Sequence, residues 1–237
     1  YLHFIVEETE RRGLSPELAL IPAVESGFQP LARSPYQAAG LWQFIPSTGQ
    51  AYGLKQTWWY EGRCDITAST RAALDYLESL AGQFGGDWAL ALAAYNAGPG
   101  MVRRAIQRNR VEGLPLDYWS LELPSETQRY VPRVFAFAQA ARTPAKFGID
   151  LPPIPNQAQF TQVELPGQID LDLAAELAQI DRDKLQLLNP AFRRWATAPH
   201  GPHALLLPPD STDTFSLGLA QLPPSQWVTL HHYRVKQ

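Results

Sequence analysis

The sequence has little of what builds disulfides or metal sites. Cys64 is the single cysteine in 237 residues, so no disulfide can form within the chain. None of the five histidines stands near Cys or acidic residues at a spacing typical of zinc ligands, and we interpret the adjacent His231 and His232 as surface residues. We therefore expect no metal and no cofactor.

Long apolar runs and an excess of positive charge are also absent. No stretch approaches the roughly 20 apolar residues that a membrane-spanning helix needs. Residues 1–148 hold 14 Lys+Arg and 14 Asp+Glu, whereas residues 149–237 hold 6 and 9 and account for the whole net charge of −3. Neither part has the basic field that nucleic-acid binding requires, so we expect no nucleic-acid partner. We also expect a monomer.

Apolar residues recur at helical spacing through the first part of the chain, which predicts a mainly α domain. The chain begins at Tyr1 within such a pattern, without an initiator Met or a signal peptide, and we interpret it as a trimmed or processed fragment. Helices are predicted over about residues 1–12, 16–26, 67–84, 88–96, 101–108 and 125–142, with an irregular stretch over 28–62. Side-chain caps are predicted at Ser15, Ser47, Asp65, Asp87 and Ser125, the last in a capping box with Gln128.

The composition changes at residues 149–157, where three prolines within residues 152–155 predict a stiff linker. Beyond the linker, the pattern predicts a small α+β unit in the order β-α-α-β, with strands at 160–165 and 204–208 and helices at 170–179 and 181–188. Residues 211–237 are interpreted as a tail with a possible strand at 228–235. We thus predict a domain over 1–148, a linker over 149–157, a module over 158–210 and a tail over 211–237.

Glu25 ends a segment that is apolar on every side. Pro16 suits the first position of a helix, and residues 18–24 include no polar side chain, which predicts a buried helix that bends at Pro22. Apolar surroundings and the negative pole of a helix C-terminus both disfavour a charged carboxylate, so we expect a raised pKa for Glu25. A carboxylic acid that stays protonated near neutral pH can act as a general acid on a glycosidic bond. The alternative is a helix-end glutamate that points into solvent.

Four local motifs occur together in the first domain. They are Glu25-Ser26, Gly40-Leu41-Trp42-Gln43, Ala94-Tyr95-Asn96-Ala97-Gly98, and Glu126 with Tyr130. In this order and spacing, over roughly residues 10–142, the chain resembles the family 1 lytic transglycosylases of bacteria, which have a soluble-type catalytic domain. The resemblance implies a mainly α, lysozyme-like (goose-type) helical domain and peptidoglycan glycan strands as substrate. It also implies a periplasmic protein, tethered to the outer membrane in its full-length form.

The resemblance also implies a role for each residue of the motifs. Glu25 is similar to the family's single catalytic acid/base, and Ser26 to the substrate-binding serine that hydrogen-bonds near this carboxylate and the sugar. Substrate-binding roles are implied for Trp42, Gln43 and Phe44 in the wall of the glycan cleft, Tyr95 and Asn96 at the scissile bond, and Tyr130 beside the catalytic glutamate. Packing remains an alternative for Tyr95 and Tyr130, and a helix-ending role for Asn96. Trp58-Trp59-Tyr60 is either buried packing or a further sugar platform.

A single carboxylate distinguishes the expected reaction from ordinary glycoside hydrolysis, which uses two. Asp65 and Glu126 are interpreted as helix-start residues rather than as a second catalytic acid. The resemblance implies that Glu25 cleaves the bond from N-acetylmuramic acid to N-acetylglucosamine without water, leaving 1,6-anhydromuramic acid ends. Two alternatives stay open: a goose-type lysozyme-like hydrolase, and a catalytically idle scaffold that binds cell wall.

Residues 158–210 resemble a lysin-motif (LysM) module, which implies binding to N-acetylglucosamine polymers. The first loop lacks the Gly-Asp-Thr run usual in that family, and an insertion with Trp195, His200 and His203 precedes the last strand. Docking onto other cell-wall proteins, or a spacer role, is therefore an open alternative. Residues 233–236 resemble the first strand of a further, truncated module.

Overall fold

The computed structural model describes residues 1–228 and is mainly helical. The first part contains α1 (Leu2–Arg11), α2 (Ile21–Glu25), α3 (Pro46–Ala51), α4 (Ile66–Gln83), α5 (Trp88–Ala97), α6 (Pro99–Glu112) and α7 (Ser125–Arg142). The second part contains β1 (Thr161–Glu164), α8 (Leu171–Leu177), α9 (Arg182–Leu188), β2 (Ala204–Leu207) and α10 (Thr212–Ala220). The expected fold class, a helical domain followed by a small α+β module, is confirmed.

Helix α5 lies at the centre of the first domain, where it packs against α4, α6 and α7. Its residues are apolar on all sides up to Ala94, as expected for a helix enclosed by other helices. It ends at Gly98, whose φ of +82° suits glycine, and Pro99 opens the next helix. The polar residues at the end of α5, Tyr95 and Asn96, are therefore held on a rigid support.

The segment before Glu25 is two short helices instead of the single helix predicted. Residues Pro16–Leu20 form a 3-10 helix and α2 follows directly. Pro22 explains the division, because it has no N–H to donate to the carbonyl of Leu18 in a continuous α-helix. Burial of the segment is confirmed, since Leu18 and Ile21 belong to the main core.

Two of the five predicted side-chain caps are confirmed. The Asp65 carboxylate accepts a hydrogen bond from the Ala68 N–H at 2.6 Å, and the Asp87 carboxylate accepts one from the Leu90 N–H at 3.0 Å.

Ser15 occupies the predicted N-cap position of the 3-10 helix, but its side chain makes no cap bond. The caps predicted at Ser47 and Ser125 are wrong, because both residues lie inside their helices. Both the 3-10 helix after Ser15 and helix α3, which contains Ser47, have a proline at the first or second position. Because proline has no N–H, fewer N–H groups at these helix starts need a cap.

The second part contains the predicted β-α-α-β order. β1 and β2 pair antiparallel, with Thr161 opposite Leu207 and Glu164 opposite Ala204. Residues 212–220, assigned above to the tail, form α10, which packs on α8 and buries Phe215 in the core of the module. The possible strand at 228–235 lies, apart from Val228, outside the described residues.

The insertion before β2 joins the second part to the first. The Glu61 N–H donates to the Ala191 carbonyl at 2.9 Å, and the Arg193 N–H donates to the Trp59 carbonyl at 2.9 Å. The rings of Tyr60 and Phe192 lie 5.5 Å apart, and both side chains are buried. Tyr60 is therefore a packing residue, which was one of the two interpretations of Trp58-Trp59-Tyr60. Trp58, in contrast, is exposed.

Candidate active site

Glu25 lies at the C-terminal end of α2, half-buried at the bottom of an open cleft. The Tyr130 hydroxyl of α7 donates a 2.5 Å hydrogen bond to Glu25 Oε1. Helices α2 and α7 pack against each other, so this bond joins two elements that the core already holds together. One carboxylate oxygen is thus fixed from one side, which leaves the other for a substrate atom.

Burial raises the pKa of Glu25 to about 7, because the surrounding protein disfavours the charged carboxylate. The negative charge of Glu126 raises it further, and the Tyr130 hydrogen bond opposes both effects. Burial also raises the pKa of Tyr130 well above its ordinary value, so the phenol remains a donor. Near neutral pH the Glu25 carboxyl is therefore available in both its protonated and its ionised form and can give or accept a proton.

The cleft around Glu25 has a volume of about 570 Å³. Its wall includes side chains from α2, α5 and α7 and from the irregular stretch before α3. Of the residues expected to bind substrate, four line this cleft besides Tyr130: Gln43, Phe44, Tyr95 and Asn96. Tyr95 and Asn96 thus face the cavity as well as contacting the core.

The Gly40-Leu41-Trp42-Gln43 motif forms a tight turn. Gly40 has φ +84°, and a Cβ at this position would lie 1.8 Å from the Arg63 carbonyl oxygen, so only glycine fits. The Gln43 side-chain amide donates to the Gly40 carbonyl at 2.8 Å and to the Ala32 carbonyl at 3.3 Å. The turn therefore depends on both ends of the motif.

Trp42 lies in the core and not in the wall of the cleft, which corrects the expected side-chain role. The ring is fully buried, and its Nε1–H donates to Thr70 Oγ1 at 3.0 Å. Its carbonyl accepts a 2.8 Å hydrogen bond from the Tyr95 hydroxyl. The ring lies in the core because it makes more contacts there than it would in solvent. Trp42 therefore anchors the turn, and its carbonyl positions Tyr95.

Ser26 also differs from expectation. Its hydroxyl donates to the Leu41 carbonyl at 2.9 Å and to the Pro22 carbonyl at 3.2 Å, and it is not among the side chains of the cleft wall. These bonds join the end of α2 to the turn at Gly40.

Asn96 is also held by a hydrogen bond, since its Oδ1 accepts a 2.8 Å hydrogen bond from the Thr127 hydroxyl.

Several residues of the cleft wall were not expected from the sequence. They are Ser34, Tyr36, Tyr76, Glu126, Arg129 and Arg133. Tyr76 lies one helical turn from the buried Ala72 and Leu80 and packs against the core, so its spacing did not distinguish it from a core residue. Glu126, interpreted as a capping-box residue, is exposed and lies one helical turn before Tyr130, so that the cleft holds a second carboxylate.

Within residues 1–228, no three His, Cys, Asp or Glu side chains come close enough together to hold a metal ion. In the same residues, no helix is both long enough and apolar enough to span a bilayer.

Comparison with known families places both parts of the chain. Residues 3–113 match the family model described as "Transglycosylase SLT domain", and residues 159–223 match "Lytic transglycosylase MltD, LysM-like domain". Residues 3–113 therefore belong to the SLT-domain family of lytic transglycosylases, and residues 159–223 form a LysM-like module after this domain. The first match ends before α7, so Tyr130 and Glu126 lie beyond it.

Two relatives that are similar in sequence agree with this assignment. The chain is 39% identical over 220 residues to membrane-bound lytic murein transglycosylase D of Escherichia coli (strain K12), covering 93% of this chain and 49% of that protein. It is 29% identical over 153 residues to the soluble lytic murein transglycosylase of Salmonella typhimurium, covering 58% of this chain and 22% of that protein. The crystal structure of the 70 kDa soluble lytic transglycosylase SLT70 from Escherichia coli aligns with 61% of this chain and 24% of its own, at 26% identity and TM-score 0.48. The chain spans about half the length, or less, of these relatives.

Proposed function

We propose that this chain is a peptidoglycan lytic transglycosylase that cleaves the β-1,4 bond between N-acetylmuramic acid and N-acetylglucosamine. The observation that carries the proposal is the Glu25 carboxyl, whose pKa is about 7 and which is held by Tyr130 at the bottom of a 570 Å³ cleft. The family assignment and the 39% identical relative support the same activity.

In the proposed reaction, Glu25 is the single acid/base. The protonated carboxyl gives its proton to the glycosidic oxygen while the bond from that oxygen to C1 of the muramic acid breaks. The N-acetyl group of the same sugar stabilises the cationic carbon. The C6 hydroxyl oxygen then bonds to C1, and its proton returns to the Glu25 carboxylate, so no water is consumed.

The wall of the cleft suits a sugar polymer. Tyr36, Tyr76 and Tyr95 offer aromatic surface, and sugar hydroxyl groups can bond to the Gln43 amide oxygen and the Asn96 amide nitrogen. We assign these five residues to substrate binding, together with Phe44 and Tyr130. Trp42 and Ser26 position the site through their bonds to backbone and to Thr70.

The presence of Glu126 favours one competing function, a lysozyme-like hydrolase that uses two carboxylates. In the proposed reaction Glu126 acts instead through its charge, which adds to the larger effect of burial in raising the pKa of Glu25. The two functions differ in product, since hydrolysis leaves reducing ends and intramolecular attack leaves anhydro ends.

The test is mass spectrometry of the fragments that the purified chain releases from cell-wall sacculi. We expect anhydromuramic acid ends from the wild type and no release by Glu25→Gln. Glu112→Gln, an exposed change at the end of α6, is the matched control and should release fragments at the wild-type rate. Reducing ends would show that the enzyme is a hydrolase. Release of fragments by Glu25→Gln would show that Glu25 is not the catalytic acid/base.

The second part is proposed to be a LysM-like module, preceded by the linker over 149–157, that keeps the enzyme on its polymer. The names of the relatives also support a periplasmic protein held at a membrane in its full-length form.

A further inference from the structure

A groove of about 530 Å³ lies where the insertion of the second part meets the first. Neither the proposed mechanism nor the LysM-like β-α-α-β framework uses it. Its wall includes residues of the loop before α3, of α9 and of the insertion: Leu31, Arg33, Arg182, Arg193, Arg194 and Trp195.

The groove is positively charged although the second part of the chain carries a net charge of −3. Among the described residues, Glu61 is the one carboxylate in its wall, and two 2.8 Å hydrogen bonds already join Glu61 to the buried Arg63. Arg182 pairs with Asp172 at 3.0 Å, whereas Arg33 is half-exposed and lies 3.9 Å from Glu61. Arg193 is exposed and, among residues 1–228, has no carboxylate within ion-pair distance. Arg33 and Arg193 can therefore accept an anionic ligand without first breaking a strong ion pair.

Exposed tryptophan borders the same groove. Trp195 is 44% exposed, and its ring centre lies 4.9 Å from that of Trp59, which in turn lies 5.1 Å from that of Trp58. The Arg194 guanidinium lies 3.6 Å from the centre of the Trp58 ring. The cluster fixes the rings in place, so that a ligand can stack on Trp195 at little entropic cost.

One loop lines both the groove and the catalytic cleft. Leu31 and Arg33 face the groove, whereas Ser34, Tyr36 and Ala38 face the cleft. The two cavities are therefore neighbours, separated by a few residues of backbone.

We infer that this groove binds the carboxylate-bearing peptide stems of a peptidoglycan strand whose glycan occupies the cleft. This inference rests on the proposed function, because it names a second part of the same substrate. Guanidinium groups match carboxylates in shape and charge, and a tryptophan face suits the sugar that carries the stem. Both features suit a glycan polymer whose sugars carry acidic peptide branches.

The test measures binding in a Glu25→Gln background, so that no strand is cut during the experiment. The double variant Arg33→Gln, Arg193→Gln removes two charges from the groove and keeps hydrogen-bond donors at both positions. Co-sedimentation with intact sacculi should show binding weaker by about fivefold or more, since two charge-assisted contacts are lost. The control, Arg104→Gln with Arg110→Gln, removes two exposed charges from α6 and should bind as its parent does.

A second substrate separates peptide binding from glycan binding. Strands stripped of their stems by an amidase should bind the parent and the double variant equally. Equal binding of parent and variant to intact sacculi would overturn the inference, as would an equal loss on stripped strands. Loss of binding to phosphatidylglycerol vesicles, with sacculus binding intact, would assign the groove to a membrane surface instead.

Failure of this inference is distinguishable from failure of the proposed function. Binding is measured without turnover, whereas the proposed function depends on the chemical form of the released ends. A wild type that releases reducing ends would refute the transglycosylase reaction and leave the result on the groove unchanged.

Discussion

The Tyr130 hydroxyl is 2.5 Å from Glu25 Oε1, although 105 positions separate the two residues in the sequence. This hydrogen bond stabilises the charged form of Glu25, whereas burial and the charge of Glu126 stabilise the neutral form. The pKa of about 7 is the balance of these opposed effects. Each of them can be changed separately.

Replacing Tyr130 by Phe removes the hydrogen bond and keeps the ring. We expect the pKa of Glu25 to rise, so the alkaline limb of the pH–rate profile should move to higher pH. The maximal rate should fall roughly tenfold or more, because a hydrogen bond to a charged group contributes about 1.5–3 kcal/mol. A profile measured on sacculi from pH 5 to 9 tests this, and a limb that moves to lower pH would contradict it.

Replacing Glu126 by Gln should move the same limb in the opposite direction. The variant loses a negative charge that raises the pKa of Glu25, so Glu25 should deprotonate at lower pH. Glu122→Gln is the matched control, since Glu122 is exposed, pairs with Arg108 and lies outside the cleft wall. A loss of more than about a hundredfold in rate at every pH would indicate that Glu126 is a second catalytic carboxylate.

Replacing Glu25 by Gln should stabilise the folded chain at alkaline pH. The pKa of Glu25 is raised from 4.5 to about 7 on folding, so the carboxyl destabilises the fold as pH rises through this window. Above pH 7 the cost is up to about 3 kcal/mol, and below pH 4.5 it disappears. Urea unfolding at pH 4 and pH 8 should show a gain for the variant only at pH 8. Equal stability of the two proteins at pH 8 would argue against a buried acid.

Replacing Gly40 by Ala should destabilise the fold by at least about 3 kcal/mol, because the new Cβ meets the Arg63 carbonyl and the positive φ is strained. Gly53→Ala is the control, since Gly53 also has a positive φ but has nothing within 4 Å of an added Cβ. It should cost about 1 kcal/mol. Free energies of unfolding in urea compare the two, and similar values would refute the steric argument.

Replacing Trp42 by Phe should affect stability more than substrate affinity. The change removes the hydrogen bond to Thr70 and leaves a cavity, at a cost of about 2–3 kcal/mol. Tyr36→Ala should do the reverse, raising KM with little change in stability, because Tyr36 is exposed on the cleft wall. Thermal unfolding and KM on soluble glycan strands separate the two roles. A raised KM for an otherwise stable Trp42→Phe protein would show that the Trp42 side chain binds substrate after all.

Much of the site could be predicted because its motifs are local. An apolar run that ends in Glu25 and the polar end of an apolar α5 are both visible in the sequence. The sequence could not predict whether the Trp42 side chain points into the core or into the cleft. An aromatic ring suits both places, and the choice depends on neighbours that are distant in the sequence. Its burial depends on Thr70, 28 residues away on α4.

The sequence by itself determined the helical domain, the β-α-α-β order of the module and the acid at the end of a buried segment, because periodicity and capping act over a few residues. Only the tertiary structure decided that Glu126 shares the cleft with Glu25 and Tyr130, and that the insertion at 189–203 docks beside Trp59. These contacts join residues far apart in the chain, and their energies depend on burial that no short segment has on its own.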